Sequence, residues 1–260
     1  MGQGGGYRPT PNYVTVGKPD QAEGARVLAE FQRAGIAGTY WLGFELRVMP
    51  RQGDETTVQG ELFGTRTDQG PLSRLSIDRQ HWLIQSGLSP AAWVSSGSAA
   101  GRDLSAAQTL EPLAGTDVTI FDLQMPFFYW TDFVYEGLTR AHGRPAHSFV
   151  LYPPAGLAAA RPELTGVRIL VDTQFQALVQ AELLGPQGGV EKTISILDLK
   201  KVGEHWIPKS IDFRNSRTRG KTRFTVTAAG LDLDLPRETF SPATLGEVSP
   251  SVPAGKIERL

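Results

Sequence analysis

Tyr40-Trp-Leu-Gly-Phe-Glu-Leu-Arg-Val48 places Tyr40, Leu42, Phe44, Leu46 and Val48 on one side of an extended chain and Trp41, Gly43, Glu45 and Arg47 on the other. That period of two is the signature of a strand with one buried face. Pro50-Arg51-Gln52-Gly53-Asp54 then supplies turn chemistry, and a second strand is predicted over 56–66. Three short strands follow over 72–77, 82–85 and 92–95. Connections of only a few residues make such neighbours antiparallel.

Upstream, residues 1–19 are rich in Gly and Pro, without periodicity, and read as a flexible N-terminal arm. A helix is predicted over 20–35: Asp20 is its N-cap, Glu23 stands three residues on, and Leu28 and Phe31 share a face with Gly24 and Gly35. Downstream, residues 97–116 are small and polar, a loop or a short helix. The most aromatic window follows, with Ile120, Phe121, Leu123, Met125, Phe127, Phe128, Tyr129, Trp130 and Phe133 close together. Pro126 divides it into two short helical pieces with an apolar face.

Strands then return over 134–141 and 146–152, a hairpin about His142-Gly143-Arg144-Pro145. After a loop over 153–166, a meander is predicted over 167–172, 178–184, 192–201, 205–214 and 221–229. Pro236 closes the domain, Phe240 packs back on it, and 246–260 reads as a tail. The expectation is a single α+β domain over 20–245, with 97–133 as a loop and helical insert. It would be a large curved antiparallel sheet with helices on one side.

Composition narrows the function. With 26 Lys and Arg against 27 Asp and Glu, the formal charge of −1 argues against bulk capture of nucleic acid or an anionic membrane. No run of 18 apolar residues suits a transmembrane helix. With no cysteine, there can be no disulfide, thiolate nucleophile or Cys-ligated metal. Met1 runs into Gly-Gln-Gly-Gly-Gly without a visible signal peptide, so an exported protein would have lost its targeting segment before this numbering begins.

From Arg168 to Pro242 the chain resembles the LolA-like family of bacterial outer-membrane lipoprotein-sorting proteins. The resemblance is carried by RILVDTQFQALVQAELL from Arg168, by KTISILDLKK from Lys192, by GEHWIPKSIDFRN from Gly203 and by TRFTV from Thr222. LPRETFSP, ending at Pro242, completes it. Upstream, Phe121-Asp-Leu, Phe133, Tyr135-Glu-Gly137 and Gly143-Arg-Pro145 look like a variant of the same family. The resemblance implies an incomplete half β-barrel whose helices cover an apolar concave side that holds acyl chains. It also implies a periplasmic or outer-membrane-associated protein.

Two groups of residues are candidates for that role. Tyr40, Leu42, Phe44 and Leu46, with Phe121, Leu123, Met125, Phe127, Phe128, Trp130 and Phe133, would line or cover the apolar cavity, because acyl chains need a concave surface with few polar groups. The same residues suit plain core, which periodicity does not distinguish. Arg214, Arg217, Arg219, Lys221 and Arg223 put five cations in ten residues around a hairpin turn. They suit lipid head groups or an acidic partner, or simply a solvated hairpin tip.

His142 and His147 lack metal-ligand spacing, so no metal and no cofactor are expected. Asp122, Asp132 and Glu136 are the only carboxylates in the aromatic region that suggest hydrolysis, and helix capping explains them equally. No nucleophile elbow or phosphate loop is present. The sequence therefore reads as a non-enzymatic binder of lipid or lipoprotein acyl chains. The alternative is an envelope protein-interaction or stress-sensor module on the same fold, with a protein partner instead of a lipid.

Overall fold

Strands dominate the computed structural model, which describes residues 7–12, 19–33, 36 and 38–260. Gly35, the expected helix end, lies outside the described residues, as do 1–6 and 13–18 of the expected arm. Helix α1 (Gln21–Arg33) precedes strands β1 (Tyr40–Met49), β2 (Thr56–Thr67), β3 (Gly70–Ile77), β4 (Gln80–Gln85), β5 (Ala91–Ser96) and β6 (Arg102–Asp103). Helix α2 (Ile120–Gln124) and a 3-10 turn (Pro126–Tyr129) form the two helical pieces expected from the break at Pro126, which opens the second of them. Then come β7 (Phe133–Ala141), β8 (Arg144–Leu151), α3 (Ala155–Ala160), β9 (Gly166–Asp172) and β10 (Leu178–Leu184). The chain ends with β11 (Val190–Val202), β12 (His205–Asn215), β13 (Lys221–Gly230) and β14 (Glu258–Arg259).

The strands pair in the order β6-β5-β4-β3-β2-β1-β13-β12-β11-β10-β9-β8-β7, with β14 on β13. The order begins and ends on different strands, so the large antiparallel sheet does not close. The meander expected from the sequence is therefore present; β6, α3 and β14 are additions to it. The short α3 sits in the stretch expected to be a loop. Its Ala-rich run follows Pro153-Pro154 and has no side-chain cap, so no capping signal announces it.

The chain packs as two compact units, each interrupted in sequence: 1–35, 127–196 and 214–218 in the smaller, and 36–126, 197–213 and 219–260 in the larger. In the smaller unit α1 guards the terminal strand β7. Asp20 caps the helix as expected, its carboxylate accepting the Ala22 N–H at 2.9 Å. The Gln21 amide donates to the Tyr135 carbonyl at 2.9 Å and accepts the Tyr135 N–H at 2.8 Å, occupying backbone groups that an edge strand would otherwise expose.

A polar belt crosses the smaller unit's strands. Glu136 on β7, only 1 % exposed, accepts from the Ser148 hydroxyl on β8 at 2.5 Å and from Arg168 Nε on β9 at 3.1 Å. It also accepts the Asn12 N–H at 2.6 Å. Nearby, Arg8 forms a fork with Asp132, at 2.8 Å through each nitrogen, and lies 3.6 Å from the centre of the Tyr152 ring. Residues 8–12 are thereby fastened to β7 through Glu136, and to Asp132 and Tyr152 just outside β7 and β8.

In the larger unit, strand register sorts the side chains into two faces. Leu42, Leu62, Leu75, Trp82 and Val94 stand beside one another on one face; Phe63, Arg74, Leu83 and Trp93 do so on the other. Arg74 is 2 % exposed. Its guanidinium donates to the backbone carbonyls of Leu245 at 3.1 Å, Glu247 at 2.6 Å and Thr239 at 3.5 Å. Burial pushes its pKa down, with Glu61 and Glu247 opposing the shift. The C-terminal segment is thus docked: Leu245 is fully buried, and β14 adds to the β13 edge.

Replacing a buried donor that holds three carbonyls leaves those carbonyls unpartnered, at about 1–3 kcal/mol for a typical orphaned group. Arg74→Met should therefore lower unfolding free energy in urea by about 3 kcal/mol. It should also expose residues 239–250 to limited proteolysis before the rest of the chain.

Candidate functional site

The sequence singled out one aromatic stretch, and the structure divides it at Pro126–Phe127 between the two units. In the smaller unit, Phe127 is fully buried and Trp130 nearly so, while Phe128 and Phe133 are half-buried. Phe128 meets Phe127 at 4.8 Å and Phe31 of α1 at 4.7 Å, both edge-on, the arrangement that ring quadrupoles favour. The Gln32 amide donates to the Phe128 carbonyl at 2.6 Å, tying the 3-10 turn to α1. Phe133 belongs to a second group, 6.2 Å from Phe149, which is itself 5.0 Å from Tyr135.

In the larger unit, Thr119 and Asp122 form a capping box that starts α2: the Thr119 hydroxyl accepts the Asp122 N–H at 3.2 Å, and the Asp122 carboxylate accepts the Thr119 N–H at 2.9 Å. The buried Gln124 amide donates to the Gln85 and Ala91 carbonyls at 2.8 and 3.0 Å, latching α2 to the ends of β4 and β5. Phe121 is buried; Leu123 and Met125 are half-buried.

The β1 face lies in the same unit. Leu42, Phe44 and Leu46 are buried and Tyr40 half-buried. Phe44 stacks on Phe224 of β13 at 4.6 Å. Both large rings lie over glycines of β2: a Cβ on Gly60 would come within 2.4 Å of the Phe44 ring, and one on Gly64 within 2.1 Å of Tyr40. Burial pushes the Tyr40 phenol up, its hydrogen bond with Ser73 working against the shift. This apolar face is thus packed by its own side chains.

The basic cluster is also divided. Arg214 and Arg217 fall in the smaller unit; Arg219, Lys221 and Arg223 fall in the larger. Arg223 makes a two-pronged pair with Asp212 at 2.7 and 3.0 Å, and Lys221 reaches the same carboxylate at 3.4 Å. Arg217 stands 3.8 Å from Glu191. Arg214 and Arg219 are exposed. Much of the positive charge is therefore matched locally.

Asp122, Asp132 and Glu136 are each held in a structural bond: a helix cap, the Arg8 fork and the Arg168 belt. Among the described residues, no group of three or more His, Asp or Glu could hold a metal ion. No helix there is long and apolar enough to cross a membrane.

Sequence reading missed two features. One is Arg74, which looks like an ordinary outward-facing strand residue until the C-terminal segment covers it. The other is an open cleft of about 760 Å³ beside that segment, lined by Trp41, Glu61, His81 and residues 246–252 among others.

The fold is that of LolA-like proteins. A putative outer-membrane lipoprotein-sorting protein domain from Vibrio parahaemolyticus matches with a TM-score of 0.72 at 14% identity, over 86% of this chain and 97% of that one. A LolA superfamily protein from Nitrosomonas europaea matches with a TM-score of 0.62 at 15% identity, over 84% and 96%. A DUF1329 family protein from Desulfovibrio piger ATCC 29098 gives 0.76 at 14% identity, over 88% and 100%. No curated protein matches in sequence. The chain belongs to the family, described as uncharacterized protein, whose model matches residues 99–247.

Asp212 offers a direct test of the charge matching. Burial alone would raise its pKa, but hydrogen bonds and charge from Arg223 and Lys221 outweigh that and hold it below its ordinary value of 3.8. A carboxylate depressed in the folded state stabilises above its unfolded pKa and loses that contribution as pH falls through the folded value. Asp212→Asn should destabilise by about 1–2 kcal/mol at pH 7, a charge-assisted pair discounted for its partly exposed Arg223 partner. The gap to the wild type should narrow only below about pH 4; a gap independent of pH would show that the pair contributes through packing instead.

Proposed function

We propose that this protein binds acyl chains of lipid or lipoprotein outside the cytoplasm, without catalysing a reaction, and serves lipoprotein sorting at the outer membrane. The observation that carries the reading is the LolA-like fold, shared over most of the chain with a putative lipoprotein-sorting domain. The large apolar side chains within that fold agree with it. In the larger unit, Tyr40, Leu42, Phe44 and Leu46 give an acyl chain an uninterrupted apolar face, and Phe121, Leu123 and Met125 add to it. In the smaller unit, Phe127, Phe128, Trp130 and Phe133 supply rings with few polar atoms between them. Within each unit these side chains pack closely, so binding requires the half-buried ones to move aside. A half-barrel with a helical cover is the form in which such parting exposes a trough.

The engagement of Asp122, Asp132 and Glu136 in structural bonds supports a carrier over a hydrolase, which needs a nucleophile, a base and an orienter converging on one point. Arg214 and Arg219, exposed and at a hairpin, are the cations best suited to head-group or partner contact.

Native mass spectrometry of protein from a bacterial host should show co-purifying lipid, and a photoactivatable palmitate should label peptides within 40–46 or 120–133. Phe128→Asp, checked by thermal melting, should reduce labelling of the second peptide. Where that variant does not fold, Met125→Asp serves instead. An unliganded mass, together with no labelling of either peptide, would overturn the carrier reading.

A further inference from the structure

The open cleft of the larger unit lies on the face of β1 and β2 that carries Trp41 and Glu61, not on the face of Tyr40, Leu42 and Phe44. Its back is the sheet and its far wall is the segment 246–252. Trp41 crosses the strand over Gly43, where a Cβ would come within 3.0 Å of the indole; glycine lets the ring lie down on the sheet and turn its outer side to the cleft. The indole Nε1–H donates to the Glu61 carboxylate at 3.2 Å. Among the described residues Glu61 makes no ion pair, and it is half-buried.

The nearest buried cation, Arg74, spends its Nη donors on backbone carbonyls of the C-terminal segment. His81, also in the wall, shares a hydrogen bond with Ser76 at 2.9 Å, and burial together with Arg74 pushes its pKa down, Glu61 working the other way. Asp78 and Glu247 add carboxylates at the rim, against the single rim guanidinium of Arg79. A carboxylate that makes no direct ion pair among the described residues, though the Arg74 charge acts on it through space, stands beside an indole in a cleft that Val248 and Val252 also line, and this matches one ligand chemistry: a positive charge spread over a partly apolar group.

We propose that this cleft binds an alkylammonium group, with Glu61 as counter-ion and the Trp41 ring as its cation–π surface. The site is separate from the acyl-chain reading and stands or falls without it. The ammonium can come from a free amine or from a choline-bearing lipid head group.

Calorimetric titration with tetramethylammonium and with choline, against matched sodium chloride, is the test. Saturable binding is expected, weakened on the order of tenfold in Glu61→Gln and in Trp41→Leu, and unchanged in Glu45→Gln. Glu61→Gln keeps an acceptor for the indole but removes a charge that favours the buried Arg74, so its melting temperature should fall only slightly, and binding is measured well below that temperature so that its loss reports charge. Sedimentation with phosphatidylcholine vesicles separates the sources: binding lost in Glu61→Gln assigns the group to a lipid head group, and binding of the free amines alone assigns it to a soluble amine. No saturable heat with either amine and no sedimentation, or undiminished binding by Glu61→Gln, overturns the proposal.

Discussion

A guanidinium removed from water on a β-strand dictates how the larger unit is finished. Desolvating the Arg74 charge is costly unless hydrogen bonds replace the lost hydration, and no carboxylate stands within ion-pair distance of it among the described residues. The compensation comes from three carbonyls of one segment. Thr239 belongs to the 3-10 turn Arg237–Phe240, and Leu245 follows the turn Pro242–Thr244. Carbonyls at the ends of such turns lack partners within the turn. Cation and carbonyls thus meet through the two Nη atoms, Nε having no partner among the described residues: without the segment Arg74 would be stranded, and without Arg74 the turns would end in unpartnered oxygens. Leu245, set between them and fully buried, adds the apolar part of the bond.

The smaller unit solves the inverse problem. There the buried charge is the carboxylate of Glu136, and donors converge from three directions: a hydroxyl on β8, a guanidinium on β9 and a backbone N–H of the N-terminal segment. Arg168 is shared onward with Glu182 at 3.4 Å. Its pKa is pulled down by burial, but the two carboxylates outweigh that and raise it. In both units a chain-terminal segment is recruited to complete a buried polar site. Such segments carry little apolar periodicity, and their order comes from backbone groups that the sheet requires.

This explains what could be read from sequence and what could not. Strands such as β1 were legible because apolar and polar residues alternate along them, even though burial does not: Leu42, Gly43 and Phe44 are all buried. Helix α1 was legible from Asp20 and the Leu28–Phe31 spacing. The helical pieces around Met125 were legible from an apolar run broken by Pro126. Arg74 was not, because a charged residue on an alternating strand normally faces water, and the segment that covers it lies over 160 residues away. The partition of the aromatic stretch at Phe127 was equally hidden: packing partners decide it, and Phe128 finds its partner in α1 while Gln124 finds its own at the ends of β4 and β5. The Trp41–Glu61 pair was hidden because the reading of β1 weighed only its apolar side.

The packed state of the apolar residues does not argue against an acyl ligand. Each methylene taken from water contributes about 0.8 kcal/mol, so a chain of roughly 14 methylenes brings about 11 kcal/mol before ordering costs. An aromatic pair such as Phe31–Phe128 or Phe44–Phe224 is worth only about 0.5–1.5 kcal/mol beyond its area, and rings displaced by the ligand can pack on the ligand instead. The larger cost is exposure of ring area that finds no new partner. Side chains already half-exposed therefore move most cheaply. Phe128 in the smaller unit, and Leu123 and Met125 in the larger, meet that condition, whereas Phe127 in the one and Phe44 and Leu46 in the other are buried and would stay in place. Were an acyl chain to bind, displacement of these half-buried side chains alone would leave the strands behind them folded.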